Sequence, residues 1–346
     1  RGRSVSPARK RKSRLGKLAL LFLILVMVAA GAFGYLAYQR YQGFADTAIA
    51  GIDKGETLRV APGDTLPKVL RKLREIGVET SSFEWRALAK QMGAAGKIQI
   101  GEYALEPGMT PRDLLARMRD GKVMSYRFTI VEGWNIRDLR AALAKATPLK
   151  QQTAQLDDAA LMRALERGGQ HPEGRFLPET YQYTRDDSDL DVLKRAADAM
   201  DKALVEAWAS RDPQLPLNSA YELLTLASIV EKETGVTDER PQIAGVFVRR
   251  LKMPMRLETD PTVIYGMGSA YSGNIRKTDL RTDTPYNTYT RDGLPPTPIA
   301  MAGRAALQAV APPAPGEALF FVAVGDGSGR HVFTRTYAEH QSAVAD

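Results

Sequence analysis

The sequence predicts an α+β fold in three parts: one N-terminal transmembrane helix, a small β/α module, and a larger α+β domain. Three observations predict it. Leu18–Tyr38 is a run of 21 residues without a charge. A strand–turn–helix phrase then recurs three times. From residue 125 onward, amphipathic helical runs mix with short β-rich ones without a strand–helix–strand rhythm, which favours α+β over α/β. The expected boundaries are a basic tail at 1–17, the span at 18–38, a connector at 39–51, the module at 52–124 and the large domain at 125–346.

The span comes first. At about 1.5 Å per residue, Leu18–Tyr38 makes a helix of ~31 Å, enough for a hydrocarbon core of ~30 Å. No ionisable side chain interrupts it, so nothing in it suggests a conduction path. Residues 1–17 carry eight basic side chains and no acid. That asymmetry sets the near side as cytoplasmic, with Tyr35 and Tyr38 at the far interface. The chain is therefore expected in the inner membrane, single-pass, with its later domains in the periplasm. The competing reading is a cleaved signal peptide, whose apolar region is usually shorter, about 7–15 residues.

Composition narrows the function. The 346 residues contain 48 Lys+Arg and 40 Asp+Glu, for a net charge of +8. Removing the tail leaves 40 basic against 40 acidic side chains, so the body is neutral and nucleic acid is not an expected partner. The absence of Cys excludes thiolate metal sites and cysteine nucleophiles. No Walker or dinucleotide glycine pattern occurs, and no cofactor or metal is expected.

The first two copies of the repeated phrase build the module, and the third opens the large domain. Val60-Ala-Pro-Gly63-Asp64-Thr65 leads to Val69, Leu70 and Leu73; Leu105-Glu-Pro-Gly108-Met-Thr110 leads to Leu114, Leu115 and Met118; Ile130-Val-Glu-Gly133-Trp-Asn135 leads to Leu139 and Leu143. Each time a strand ends at a Gly able to take positive φ, and a Thr or Asn two residues later caps a helix with one apolar stripe. The Gly spacings of 45 and 25 rule out a regular solenoid. Val60-Ala-Pro-Gly63-Asp64-Thr65-Leu66 resembles the opening of a LysM module, a β-α-α-β domain that in its family binds N-acetylglucosamine-containing glycans. A rigid spacer above the membrane is the plain alternative.

The large domain follows. Phe128–Val131 reads as a strand, and 136–146, 157–167 and 189–210 as amphipathic helices. Leu319–Val324, a Gly-rich turn and His331–Thr334 read as a β-hairpin, and Thr336 with Glu339 as a capping box opening a last helix.

The densest candidate site is the helix Tyr221–Glu233. On a wheel of about 100° per residue, Glu231 falls about 80° from Leu223, between Ala227 and Leu224. Lys232 then faces solvent, and Glu233 sits on the opposite shoulder of the stripe. A carboxyl inside an apolar arc is expected to have a raised pKa and to serve as a general acid near neutral pH. The plain alternative is an ion pair with Arg249 or Arg256. Further on, Leu257-Glu258-Thr-Asp260 and the irregular 284–298 stretch supply Asp, Tyr, Asn and Thr groups suited to sugar hydroxyls, with prolines that would preorganise them. A Pro-stiffened surface loop would read the same way.

Ala227-Ser-Ile-Val-Glu231-Lys-Glu233-Thr, Leu257-Glu-Thr-Asp260-Pro-Thr-Val-Ile-Tyr265-Gly, Tyr286-Asn287-Thr-Tyr289 and Gly293-Leu-Pro-Pro resemble the endolytic murein transglycosylase, or YceG-like, family. Glu173-Gly-Arg-Phe-Leu-Pro-Glu179-Thr-Tyr181 and the final Gly329-Arg-His331-Val-Phe333 fit as well. Arg175 stands where an aromatic is usual, Glu179 where Asp is usual, and Thr297 where Gly is usual.

The resemblance implies a bitopic enzyme that cuts nascent peptidoglycan strands internally and terminates their elongation beside penicillin-binding synthases. It places the catalytic acid at Glu231, with Asp260, Glu258, Tyr286, Asn287, Tyr289 and Glu179 as substrate-binding candidates. A lytic transglycosylase needs one acid/base residue, because the C6 hydroxyl of N-acetylmuramic acid is itself the nucleophile. The 1,6-anhydro end is the expected product. Two alternatives stay open: a hydrolytic muramidase using Glu231 with Asp260 or Glu258, and a non-enzymatic peptidoglycan-binding scaffold.

Overall fold

A computed structural model describes residues 14–52, 55–78 and 80–345. The basic tail expected over 1–17 lies mostly outside them. Helix and strand are mixed, 49% and 8% of the chain, and the described strands form three antiparallel pairs. The chain divides between Met124 and Ser125 into two compact units.

The first unit opens with α1 (Arg14–Asp46). Its side chains over 16–40 are all exposed, and its apolar window reaches a mean hydropathy of 2.5, as a span or a signal sequence requires. The helix does not stop at the expected connector. It runs on to Asp46 because its last turns are held: Phe44 meets Trp85 edge-on at 5.7 Å and Asp46 accepts from Arg112 Nε at 2.7 Å. The rest of the unit runs β1 (Thr57–Val60), α2 (Leu66–Glu75), α3 (Ser82–Gln91), β2 (Gly101–Ala104) and α4 (Pro111–Asp120), with β1 antiparallel to β2. Trp85, Leu70, Leu73, Tyr103 and Leu114 fill its core.

The three turns behave alike. Gly63, Gly108 and Gly133 all have φ near +80°, which side chains with a Cβ rarely adopt. Thr110 and Asn135 close capping boxes with Asp113 and Asp138. Thr65 departs from expectation, for it holds the N-cap position without a side-chain bond. Asp64 organises that turn instead, accepting from Ala61 N–H at 2.8 Å and pairing with Lys68 and Lys72.

The second unit pairs β3 (Tyr126–Thr129) with β4 (Thr180–Tyr183) beside α5 (Ile136–Leu143), α6 (Asp158–Ala164) and α7 (Asp189–Ala209). Phe176, Leu139, Leu161 and Leu193 lie in that core. A second core centres on α8 (Ala220–Glu233), packed against α7, α9 (Arg240–Lys252), α10 (Asp260–Met267) and α12 (Arg304–Val310). A short α11 (Lys277–Arg281) lies between the last two. The hairpin β5 (Phe320–Ala323) and β6 (His331–Thr334) carries α13 (Tyr337–Ala345), opened by the expected Thr336–Glu339 box. With neighbours on every side, α8 buries all residues from Leu223 to Glu231. That surround decides the site.

Candidate active site

The last turn of α8 opens on a cleft of about 330 Å³. Glu233 and Arg250 line it with residues 257–260, Tyr289, Phe320, Phe321, Tyr337 and His340. Glu233 is half-buried and accepts a hydrogen bond from the Thr259 hydroxyl. Burial pushes its carboxyl up to about 7, the Thr259 bond opposing and the nearby Asp260 charge adding to the rise. A carboxyl so placed is protonated for a large part of the time near neutrality, as a general acid must be.

The wall opposite is held by backbone bonds. Glu258 sits at φ 48, in the left-handed region unusual for a side chain with a Cβ. Thr288 anchors that turn: its carbonyl accepts from Glu258 N–H at 3.2 Å and its hydroxyl from Thr259 N–H at 3.0 Å. The turn brings Thr259 to Glu233 and starts α10 at Asp260, whose carboxylate accepts from the Tyr289 hydroxyl at 2.7 Å. Arg250 donates to the carbonyls of Leu257 at 2.8 Å and Leu319 at 2.7 Å, joining this wall to the hairpin.

Glu231 is elsewhere. The resemblance places the acid at Glu231, but its carboxylate does not line the cleft that Asp260 lines. Its Oε1 lies 2.8 Å from Arg240 Nη2 and its Oε2 accepts from Gly303 N–H at 2.9 Å, both buried. Arg240 also reaches Glu132 at 3.3 Å. The partner is Arg240, not Arg249 or Arg256: Arg249 donates to the carbonyls of Ala314 and Ala318, and Arg256 pairs with Asp292. A Cβ at Gly303 would fall 2.0 Å from a Glu132 oxygen, so the closure depends on glycine there. Burial raises the Glu231 pKa, and the Gly303 N–H and the Arg240 charge offset part of that rise.

The model of the YceG-like family matches residues 58–346. The chain belongs to the YceG-like family. It is similar to the endolytic murein transglycosylase of Bacillus subtilis (strain 168), 32% identical over 303 residues, 83% of either chain. It is similar also to the endolytic murein transglycosylase of Streptococcus pneumoniae serotype 2, 26% identical over 332 residues; the match covers 86% of this chain and 59% of the relative's length. Among solved structures, a yceG-like protein of Listeria monocytogenes superposes with a TM-score of 0.52 at 26% identity, covering 84% of this chain and 99% of that one.

In this YceG-like chain only some of the residues expected at the site meet. Asp260, Glu258 and Tyr289 line the cleft with Glu233. Asn287 is wholly buried, and its amide donates to the carbonyls of Asp279, Leu280 and Thr282 while its Oδ1 accepts from Tyr289 N–H. Its hydrogen-bonding capacity is thus taken up by the loop, which leaves none for a sugar. The Tyr286 hydroxyl bonds Thr297 at 2.9 Å and its ring packs on Tyr265 at 4.8 Å, and neither ring lines the cleft. Glu179 is exposed and pairs with Arg304, away from the cleft. Arg175 lies over the Tyr221 ring and edges no groove described here.

Glu233, Arg250, Phe320, Tyr337 and His340 line the cleft without having been expected there. One signal was available for the wall: Asp260-Pro261 is a helix-start pair, since Pro fits the first turn where its missing N–H costs nothing.

Proposed function

We propose that the chain is an endolytic murein lytic transglycosylase in which Glu233, rather than Glu231, is the single acid/base. The observation that carries the assignment is the Glu233 carboxyl, held up to about 7 and opening on the cleft with Asp260 and Tyr289. Its setting is a family whose similar members are named for this activity.

In the first step Glu233 gives its proton to the glycosidic oxygen between N-acetylmuramic acid and N-acetylglucosamine, and the C1–O bond breaks. The resulting carboxylate takes the proton of the muramyl C6 hydroxyl as that oxygen bonds C1. The product is a 1,6-anhydro end, and Glu233 is protonated again. No water is consumed. The nucleophile is already tethered to the reacting ring, which removes most of the entropic cost of bringing it there.

Asp260 favours a second reading. It lies in the same cleft, so a hydrolytic muramidase with two carboxylates fits the same walls. Digestion of purified glycan strands followed by mass analysis separates the two, because an anhydro end is lighter by one water.

The same proposal places α1 as a membrane anchor with a cytoplasmic tail and the later residues in the periplasm, where the enzyme would end strand growth beside penicillin-binding synthases. Residues 52–124 act there as a LysM-like module that touches glycan or spaces the large domain. Exposed and uncharged over its apolar run, α1 supports the anchor. Protection of the C-terminus from cytoplasmic protease tests it, and recovery of a soluble protein starting near residue 30 or 38 overturns it.

A further inference from the structure

A second cavity, of about 350 Å³, draws on the same ends of α8 and α10 as the cleft. Two pairs of consecutive residues divide between the two spaces. Glu233 lines the cleft and Lys232 the cavity; Asp260 lines the cleft and Pro261 the cavity. Neighbouring Cα atoms are about 3.8 Å apart, so on both α8 and α10 the backbone that carries one lining also carries the other.

The lining has a definite chemistry. Lys232 and Arg137 bring two cations, neither of them in a salt bridge among the described residues, although the Arg137 charge acts on the buried Glu173 carboxyl. The Lys232 ammonium donates only to the Gly133 carbonyl, at 3.3 Å. Asp138 is the one carboxylate on the lining, and it is engaged in the Asn135 capping box. Gly268, at φ 59, leaves room for Arg137: a Cβ there would stand 3.0 Å from its Nη1. The floor is built to stay in place. Glu173, wholly buried, accepts from the Tyr265 hydroxyl at 2.9 Å and from Ile136 N–H at 3.1 Å, tying α10 to the start of α5 under the cavity.

We propose that this cavity binds the carboxylate-bearing arm of the muramyl residue being cut, with Arg137 and Lys232 as its charge partners. The inference rests on the transglycosylase reading above and deepens it. If Glu233 protonates the oxygen leaving muramyl C1, the muramyl ring lies beside Glu233 and its lactyl ether projects from that ring. A space lined by the residues next in sequence to Glu233 and Asp260, with two cations outside any salt bridge and a Tyr265 wall, suits the anionic end of that arm. Two sources supply the same chemistry: the lactyl carboxylate of a strand without peptides, and the carboxylates of an attached peptide stem.

The test is direct binding, which needs no turnover. The full chain is titrated with N-acetylmuramyl peptide, with the same compound carrying amidated carboxyls, and with N-acetylmuramic acid. Amidation is expected to weaken binding about tenfold, and Arg137→Gln or Lys232→Gln to weaken binding of the acidic ligand by about five- to tenfold, with less salt dependence. Both side chains are exposed, so an unchanged melting temperature is expected of each variant. Equal loss with N-acetylmuramic acid assigns the lactyl carboxylate; loss only with the peptide assigns the stem. Peptide affinity indifferent to amidation, together with N-acetylmuramic acid affinity indifferent to both substitutions, overturns the proposal.

Turnover supplies the second arm. On peptide-bearing strands Arg137→Gln should raise KM about tenfold and leave kcat within about twofold, as lost ground-state binding does. A matching fall in kcat with KM unchanged would overturn the proposal. Charge-dependent binding by a chain that cuts no strand would leave the cavity standing and sink the activity reading.

Discussion

Glu233 accepts the Thr259 hydroxyl at the end of α8, and this bond joins the helix carrying the proposed acid to the turn that starts α10. Two residues earlier, Glu231 is closed off by Arg240 and Gly303 N–H. One helix end therefore holds two carboxyls in opposite settings. One faces a cleft with a pKa near neutrality, and the other pins α9 and the start of α12 to α8.

Glu233→Gln should abolish most activity. Loss of the transferable proton is expected to lower the rate of 1,6-anhydro end formation by about 10²–10⁴, with the melting temperature held or raised. Undiminished product from the purified variant would remove Glu233 from the mechanism.

Glu231→Gln should act on stability. Breaking a buried, hydrogen-bonded pair leaves the Arg240 charge short of its partner and is expected to cost about 3 kcal/mol, somewhat less where Glu132 takes it over. Denaturant unfolding measures the loss, and the variant that remains folded should keep kcat within a few-fold. A stable variant with no activity would return the catalytic role to Glu231.

Asp260→Asn separates the two chemistries. In a single-acid lyase the change should reduce the rate modestly, through the Tyr289 contact and a lower Glu233 pKa, and the anhydro product should persist. A loss as large as that of Glu233→Gln, or a product heavier by one water, favours the hydrolase.

Stability should fall as pH rises through about 7. Burial pushes Glu173 up to about 7 in the folded protein, and its bonds from Ile136 N–H and Tyr265 oppose only part of the shift. Between the unfolded value of 4.5 and about 7 the folded state binds more protons at this group. Stability from it is therefore complete below that window and is lost across it, by up to ~1.4 kcal/mol per pH unit. Glu233 adds in the same direction, whereas His171, lowered by burial, works in the opposite one. The difference between wild type and Glu173→Gln, followed by denaturant unfolding from pH 5 to 8, isolates the first term. A flat difference would show that Glu173 keeps an ordinary pKa.

Activity should follow the same carboxyl chemistry. With Glu233 as the acid, kcat/KM is expected to decline above about pH 7 as the proton is lost. A rate that climbs steadily to pH 9 would point to a group that must be deprotonated.

Much of the fold was legible because its determinants are local. The Gly–x–Thr/Asn phrase marks real helix starts after Gly63, Gly108 and Gly133, since positive φ and capping depend on a few adjacent residues. The helices α7 and α8 lie within a residue or so of where their apolar spacing set them. Elements without such signals went unread: α12 begins at Gly303, with no side chain to cap it. The site was half legible, for Asp260, Glu258 and Tyr289 reach the cleft while Asn287, Tyr286 and Glu179 are engaged in bonds within the protein.

The sequence by itself determined the apolar span, the glycine-marked helix starts and the family, all of which rest on composition, spacing or ordered motifs. Only the tertiary structure decided which glutamate of Glu231-Lys-Glu233 meets the cleft. A helical wheel separates buried from exposed faces, but α8 is packed by α7, α9, α10 and α12, so burial carries no direction there. Direction came from what stands opposite. Arg240 faces Glu231, nine residues away in the chain, whereas Thr259, Tyr289, Phe320 and His340 come from distant segments to build the space beside Glu233. No local pattern encodes that meeting, because it exists only after those segments have packed.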